Sequence, residues 1–234
     1  MKPLTFGMML ICLLSFPLRA EIVEVYRWEP YPGKNMALIE AMQEAADIHT
    51  NLGATVQINR LDIGTSQQID YVMRFDDLAA WGSAKTKLAS SQDWAEFGVR
   101  ASSDPSGKLV ESLLGTNLDQ TTKASDFADK TVFSVFIWDP APGRSLELQA
   151  GFAAAKMIHE ANGAKVDSYL ESFGGSDKLH YVMSFDSWDH MAEVQAKFTS
   201  DPAWIELQAA NASATDPVAE LIMSFAGSTL MNFD

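Results

Sequence analysis

Residues 21–97 are repeated 110 positions further along the chain. Laid on 131–207 without a gap, they agree at 23 of 77 positions, where chance pairing at ordinary composition gives about 5. Trp28, Pro30, Pro32 and Gly33 recur as Trp138, Pro140, Pro142 and Gly143. Tyr71-Val72-Met73, Phe75 and Asp76 recur as Tyr181-Val182-Met183, Phe185 and Asp186, and Trp94 recurs as Trp204. An ungapped repeat of this length means that one supersecondary unit is built twice.

Each copy reads as strand, helix, strand, strand, helix, strand. The segments 21–28 and 131–138 alternate and are rich in Val, Ile and aromatic residues, so they predict strands. The Pro-x-Pro-Gly corner breaks each strand and leads into a helix. There Leu38, Met42, Ala45 and His49 share one stripe, matched by Leu148, Phe152, Ala155 and His159. Gly53 and Gly163 are the helix stops. Two strands follow at 54–62 and 67–75, and again at 164–172 and 178–185, joined through glycine-containing turns. Asp76 and Asp186 are expected to cap one further helix per copy, ending in a short turn around Trp94 or Trp204. Last strands are expected near 108–114 and 220–225, with a polar, threonine-rich linker at 116–130.

That order is the ferredoxin-like βαββαβ unit, four antiparallel strands with both helices on one face. A single unit leaves its other sheet face bare, and two such faces from one chain cover each other. The fold class expected is therefore α+β, two tandem ferredoxin-like repeats (21–115 and 131–234) packed sheet to sheet as a pseudo-dimeric barrel. This layout, the Pro-Gly corner, Ser184-Phe185-Asp186-Ser187-Trp188 and Asp201-Pro202-Ala203-Trp204 resemble the dimeric α+β barrel superfamily. The nearest likeness is to its NIPSNAP-like and antibiotic-biosynthesis-monooxygenase-like branch. The resemblance implies a barrel. Its members include cofactor-free oxygenases, isomerases and haem-handling enzymes, and it supplies no catalytic motif that transfers residue by residue. The first copy also departs from the pattern, with Ser91-Gln92-Asp93-Trp94 where the second has Asp-Pro-Ala-Trp.

Residues 1–20 read as a signal peptide: Lys2, an apolar run over 8–16, then Leu18-Arg19-Ala20. A retained membrane anchor is the rival reading. The expectation is an exported, periplasmic or secreted protein beginning at Glu21. Removal of 1–20 takes away Cys12, the single cysteine, so disulfides and thiolate metal sites are excluded. It also takes the net charge from −14 to −16, because Lys2 and Arg19 go and no acid does. Such acidity argues against nucleic acid or an anionic membrane as partner. No phosphate-cradling loop, nucleophile elbow, zinc spacing or dinucleotide fingerprint occurs.

Hairpin register separates the two sheet faces. If Asp62 pairs with Gln67, then Val56, Ile58, Tyr71, Met73 and Phe75 form one apolar face that belongs under the helices. Asn59, Asp70 and Arg74 then look into the barrel, with Gln57 and Val72. The corresponding inward set in the second copy is Lys165, Asp167, Tyr169, Glu171, His180, Val182 and Ser184. His180, Tyr169 and Asp167 are the catalytic candidates, because an enclosed histidine with a carboxylate partner exchanges protons near neutral pH. A plain local hydrogen bond at His180 is the alternative. Asn59, Asp70, Arg74 and Ser184 are candidate ligand contacts. Trp28 and Trp138, placed at the barrel mouth, are candidates for stacking on a planar molecule. His49 and His159 fit a structural role, cationic or donor rings at helix C-termini, and no metal or cofactor is expected.

These features point to a small-molecule-binding or accessory protein, as a monomer with pseudo-two-fold repeats or a weak homodimer. A cofactor-independent monooxygenase or isomerase on a small aromatic or apolar substrate is the first alternative. A solid barrel acting through its outer surface is the second.

Overall fold

The computed structural model describes residues 20–65 and 67–234. The signal peptide expected over 1–20, with Cys12, lies outside the described residues except for Ala20. The first half comprises β1 (Ile22–Pro30), α1 (Asn35–Asn51), β2 (Thr55–Ile63), β3 (Ile69–Phe75), α2 (Leu78–Ala89), α3 (Gln92–Ser103) and β4 (Gly107–Asn117). A 3-10 turn at Ala124–Phe127 leads into the second half. This comprises β5 (Val132–Pro140), α4 (Ser145–Ala161), β6 (Lys165–Glu171), β7 (Leu179–Phe185), α5 (Trp188–Phe198), α6 (Pro202–Ala212) and β8 (Ala219–Phe233).

The eight strands close into one antiparallel barrel in the order β1-β3-β2-β8-β5-β7-β6-β4. Trp28 stands opposite Ile69 in the first half, and Trp138 opposite Leu179 in the second. Both members of the second pair lie 110 positions after the first. The barrel has two seams between halves. One is long, Val56 to Ile63 of β2 against Phe233 to Ala226 of β8. The other is short, Gly115 to Asn117 of β4 against Glu171 to Tyr169 of β6.

Alternation along each strand sends apolar side chains outward beneath the helices. Val56, Ile58, Ile69, Tyr71, Met73 and Phe75 join Leu38, Met42 and Ala46 of α1 in one outer core. Val166, Leu179, Tyr181, Met183 and Phe185 join Leu148 and Phe152 of α4 in another. Arg60 opposes Ile69, the register inferred from the hairpin, so Gln57, Asn59, Asp70 and Arg74 face inward. At the hairpin tip Gly64 has φ +92°, and a Cβ there would lie 2.5 Å from the Ser224 carbonyl oxygen of β8.

Several local expectations are corrected. Two helices, not one, follow the β2–β3 hairpin and again the β6–β7 hairpin. The second of them starts afresh because Ser91 Oγ accepts from Trp94 N at 3.2 Å, and Asp201 Oδ1 accepts from Ala203 N and Trp204 N with Pro202 in the first turn. Trp94 and Trp204 therefore stand on helices. The caps of α2 and α5 are Asp77 and Ser187, which accept from Ala80 N and His190 N; Asp76 and Asp186, one residue early, do not cap. Strand β8 runs on to Phe233 because its second part pairs with β2. The polar linker hides Phe127, which is 2% exposed and lines the barrel interior.

His49 and His159 are not cationic C-caps. Each ring is buried, with Nδ1 2.7 Å and 2.8 Å respectively from the hydroxyls of Tyr71 and Tyr181. Burial lowers both pKa values to about 4, so both rings are neutral at pH 7; Lys85 adds to the effect at His49.

Candidate functional site

The barrel interior holds the inward polar residues, and they are largely spoken for by one another. Arg27 makes a two-pronged bond to Asp70, 2.8 Å on each arm, and reaches Glu111 at 3.3 Å. Its guanidinium lies 4.6 Å above the Phe225 ring. Arg74 Nη1 contacts Glu21 Oε1 at 2.6 Å and Tyr169 Oη at 2.9 Å, Nε reaches Gln57 Oε1 at 3.1 Å, and Phe127 stacks 3.7 Å away. The Tyr169 hydroxyl donates in turn to Glu21 Oε2 at 3.0 Å. Burial pushes that phenol well above its ordinary pKa against the opposing pull of Arg74, so it stays protonated.

The three proposed catalytic residues share no hydrogen bond, although Tyr169 and His180 stand opposite each other on β6 and β7. His180 Nε2 bonds Glu171 Oε1 at 2.7 Å, while Tyr169 serves the Arg74–Glu21 cluster. Asp167, 1% exposed, is held by Thr122 Oγ1 at 2.8 Å, Asn117 Nδ2 at 3.2 Å and Lys165 Nζ at 2.9 Å. Glu171 also accepts from the backbone N–H groups of Ser176 and Lys178. Burial raises the Glu171 pKa, but His180 and these two N–H groups outweigh it and bring it down to about 2.

The space left inside is about 100 Å3, bounded by Asn59, Asp70, Arg74, Tyr169, His180 and Ser184 among others. Asn59 Oδ1 is buried there without a partner. A cavity of about 150 Å3 is what takes up benzene. The lumen is thus sized for a few waters, not for an aromatic substrate.

Trp28 and Trp138 are not at the barrel mouth. They follow Tyr26 and Phe136 on the outward face, and Trp28 packs into the outer core beneath the helices. Trp138 likewise packs against the outer core of its half, and it also walls a groove of about 990 Å3 between α4, α5, α6 and the outer face of β5, β7 and β8. Leu148, Phe152, Phe198, Trp204 and Leu221 supply much of the rest of the wall, and no lysine or arginine lines it. Gly151, in the middle of α4, also borders the groove, and a Cβ added there would meet nothing within 4 Å. The matching positions of the first half, 110 residues earlier, are Ala41 and, for the groove-lining Leu207, Phe97. Phe97 stacks on Trp94 with ring centroids 5.2 Å apart. The second half carries smaller residues at both positions.

Among the described residues no group of three histidine, cysteine or carboxylate side chains is placed to hold a metal ion. No described helix is long and apolar enough to cross a membrane.

No family model and no curated protein sequence matches the chain. Solved structures do. A candidate monooxygenase from Fusobacterium nucleatum superposes with a TM-score of 0.62 at 12% identity, covering 92% of this chain and 94% of that one. An anthrone oxidase-like protein gives 0.57 at 13% identity, over 92% and 93% of the two chains. A candidate chlorite dismutase gives 0.56 at 14% identity, over 91% and 95%. The fold is that of the dimeric α+β barrels, an eight-stranded antiparallel barrel with its helices outside. At these identities the likeness carries the fold and no activity.

Proposed function

We propose that the protein binds an apolar small molecule in the outer groove of its second half. The observation behind this is the groove itself, about 990 Å3 walled by Trp138, Phe152, Phe198 and Trp204, beside a lumen of about 100 Å3. Concave, mostly aromatic sites of this size are where small ligands bury most of their surface. A nearly solid barrel that works through its outside joins two of the functional expectations drawn from sequence.

Residues 21–234 would be the exported form, two ferredoxin-like units at 21–115 and 131–234 joined by 116–130. The 110-residue offset of the strand register supports a duplication. The branch resemblance, NIPSNAP-like or antibiotic-biosynthesis-monooxygenase-like, rests on the Pro-Gly corners and the two tryptophan motifs. A cofactor-independent oxygenase with His180 as base draws support from the His180–Glu171 pair and is opposed by the size of the lumen.

Nile red, a neutral apolar dye, tests the groove by its fluorescence gain on binding. Wild-type protein is expected to bind it at micromolar concentration, and Gly151→Trp to lose at least tenfold in affinity with its fold intact. Equal binding by Gly151→Trp would place the dye elsewhere and end this reading.

A further inference from the structure

The groove contains one polar atom with nothing to do. Four side-chain polar atoms among the described residues are fully buried with neither a hydrogen-bond partner nor an ion pair, and His159 Nε2 is the one of them on a groove-lining residue. The ring is fixed from its other side by the 2.8 Å bond between Nδ1 and Tyr181 Oη. It packs against Phe198 and Trp204, ring centroids 4.5 Å and 4.4 Å away, and both of those residues also line the groove. A buried polar atom left unpaired carries an uncompensated desolvation cost, so a ligand group that satisfies it gains a corresponding preference.

We infer that His159 Nε2 is the polar anchor of the groove and that it selects a neutral aromatic ligand bearing a hydroxyl group. This rests on the groove-binding reading given above. The lining holds no lysine or arginine to balance an anion, and its one carboxylate, Glu147, is already bonded to Arg144 and so offers little to a cation. The hydroxyl follows from the tautomers. If Tyr181 donates to Nδ1, Nε2 carries the ring proton and donates; if Nδ1–H donates to Tyr181, Nε2 accepts. A hydroxyl answers either case, whereas a carbonyl answers one and a hydrocarbon neither. Because Nε2 is buried behind the packed Phe198 and Trp204 rings, the proposal requires Trp204, half-buried on the first turn of α6, to turn aside for the ligand.

Displacement of bound Nile red by 2-naphthol and by naphthalene tests the anchor, since the two differ by one hydroxyl. In wild-type protein 2-naphthol is expected to displace the dye at roughly tenfold lower concentration, the fold-change that one satisfied buried hydrogen bond provides. In His159→Phe the two are expected to agree within a factor of two. Should that variant not fold, 15N-histidine spectra of wild-type protein give an independent reading, with only four histidines to assign. The His159 Nε2 resonance is expected to move with 2-naphthol and to stay in place with naphthalene. Equal displacement by both compounds in wild type, with His159 Nε2 unmoved, would overturn the anchor and leave the groove standing. Failure of Nile red to bind at all would overturn both.

Discussion

Glu21 and Arg74 meet 2.6 Å apart inside the barrel, with the carboxylate side chain wholly buried and the guanidinium side chain 9% exposed. Tyr169 and Gln57 accept from Arg74, and Asn117 donates to Glu21. Removing one partner of such a pair strands the other charge in a low-dielectric interior. Arg74→Met is therefore expected to cost about 3–5 kcal/mol in urea denaturation. Replacing both, as Glu21→Leu with Arg74→Leu, is expected to cost clearly less than Arg74→Met alone. An equal or greater loss in the double variant would mean that the ion pair itself, not the avoidance of a lone charge, holds this end of the barrel.

His49 and His159 make the protein sensitive to mild acid. Each has an ordinary pKa of 6.5 that burial lowers to about 4 in the folded chain. Between those values the unfolded chain takes up a proton that the folded chain refuses, so stability falls as pH drops from about 6.5 to about 4. Above that window both states are neutral and the loss vanishes. Glu171 adds a second, lower window, since its folded pKa of about 2 lies below its ordinary 4.5 and its contribution is lost as pH falls through that range. Urea midpoints measured from pH 7.5 to 3 are expected to fall, with a shallower decline above pH 4 in His159→Phe.

Gly151 gives up helix stability to keep the groove open. Its place in the middle of α4, with free space around its missing Cβ, predicts that Gly151→Ala raises stability by about 1 kcal/mol. Thermal denaturation checks this. A drop in midpoint would show that the backbone there needs glycine for some other reason.

Gly64 is glycine for the opposite reason. Its φ of +92° and the Ser224 carbonyl 2.5 Å from a would-be Cβ leave no room for a side chain. Gly64→Ala is expected to cost about 1–3 kcal/mol and to open the contact between the hairpin tip and β8. Hydrogen exchange at Ser224 and Phe225 reads that contact directly; unchanged protection there would rule the account out.

The fold was legible because two periods carry it. The alternation in Val56, Ile58, Tyr71, Met73 and Phe75 sets the hairpin register, and with it which residues of both halves face inward. What stayed hidden depends on choices that periodicity does not make. Asp167 and Glu171 both flank Tyr169 on the inward face of β6, and either could reach His180 from a diagonal position. Glu171 is the partner because the turn at Ser176 and Lys178 also gives it two backbone N–H groups. Phe127 was concealed in a polar linker, and the cue was a lone aromatic among threonines and aspartates. The groove depends on a second helix pair that a single expected helix missed. Its one sequence signal is the exchange of Ala41 and Phe97 for Gly151 and Leu207.

The long seam between β2 and β8 also governs timing. Until β8 arrives, β2 and β5 each present an open edge, because residues 219–228 of β8 pair with β5 and residues 226–233 pair with β2. Ring closure is thus a late, high-contact-order event that pairs residues 56–63 with residues 226–233. A chain that stalls after β7 would carry two unpaired edges ready to zip onto other chains. A chain that reaches Phe233 buries both in one step, so completing β8 separates a self-adhesive intermediate from a closed ring.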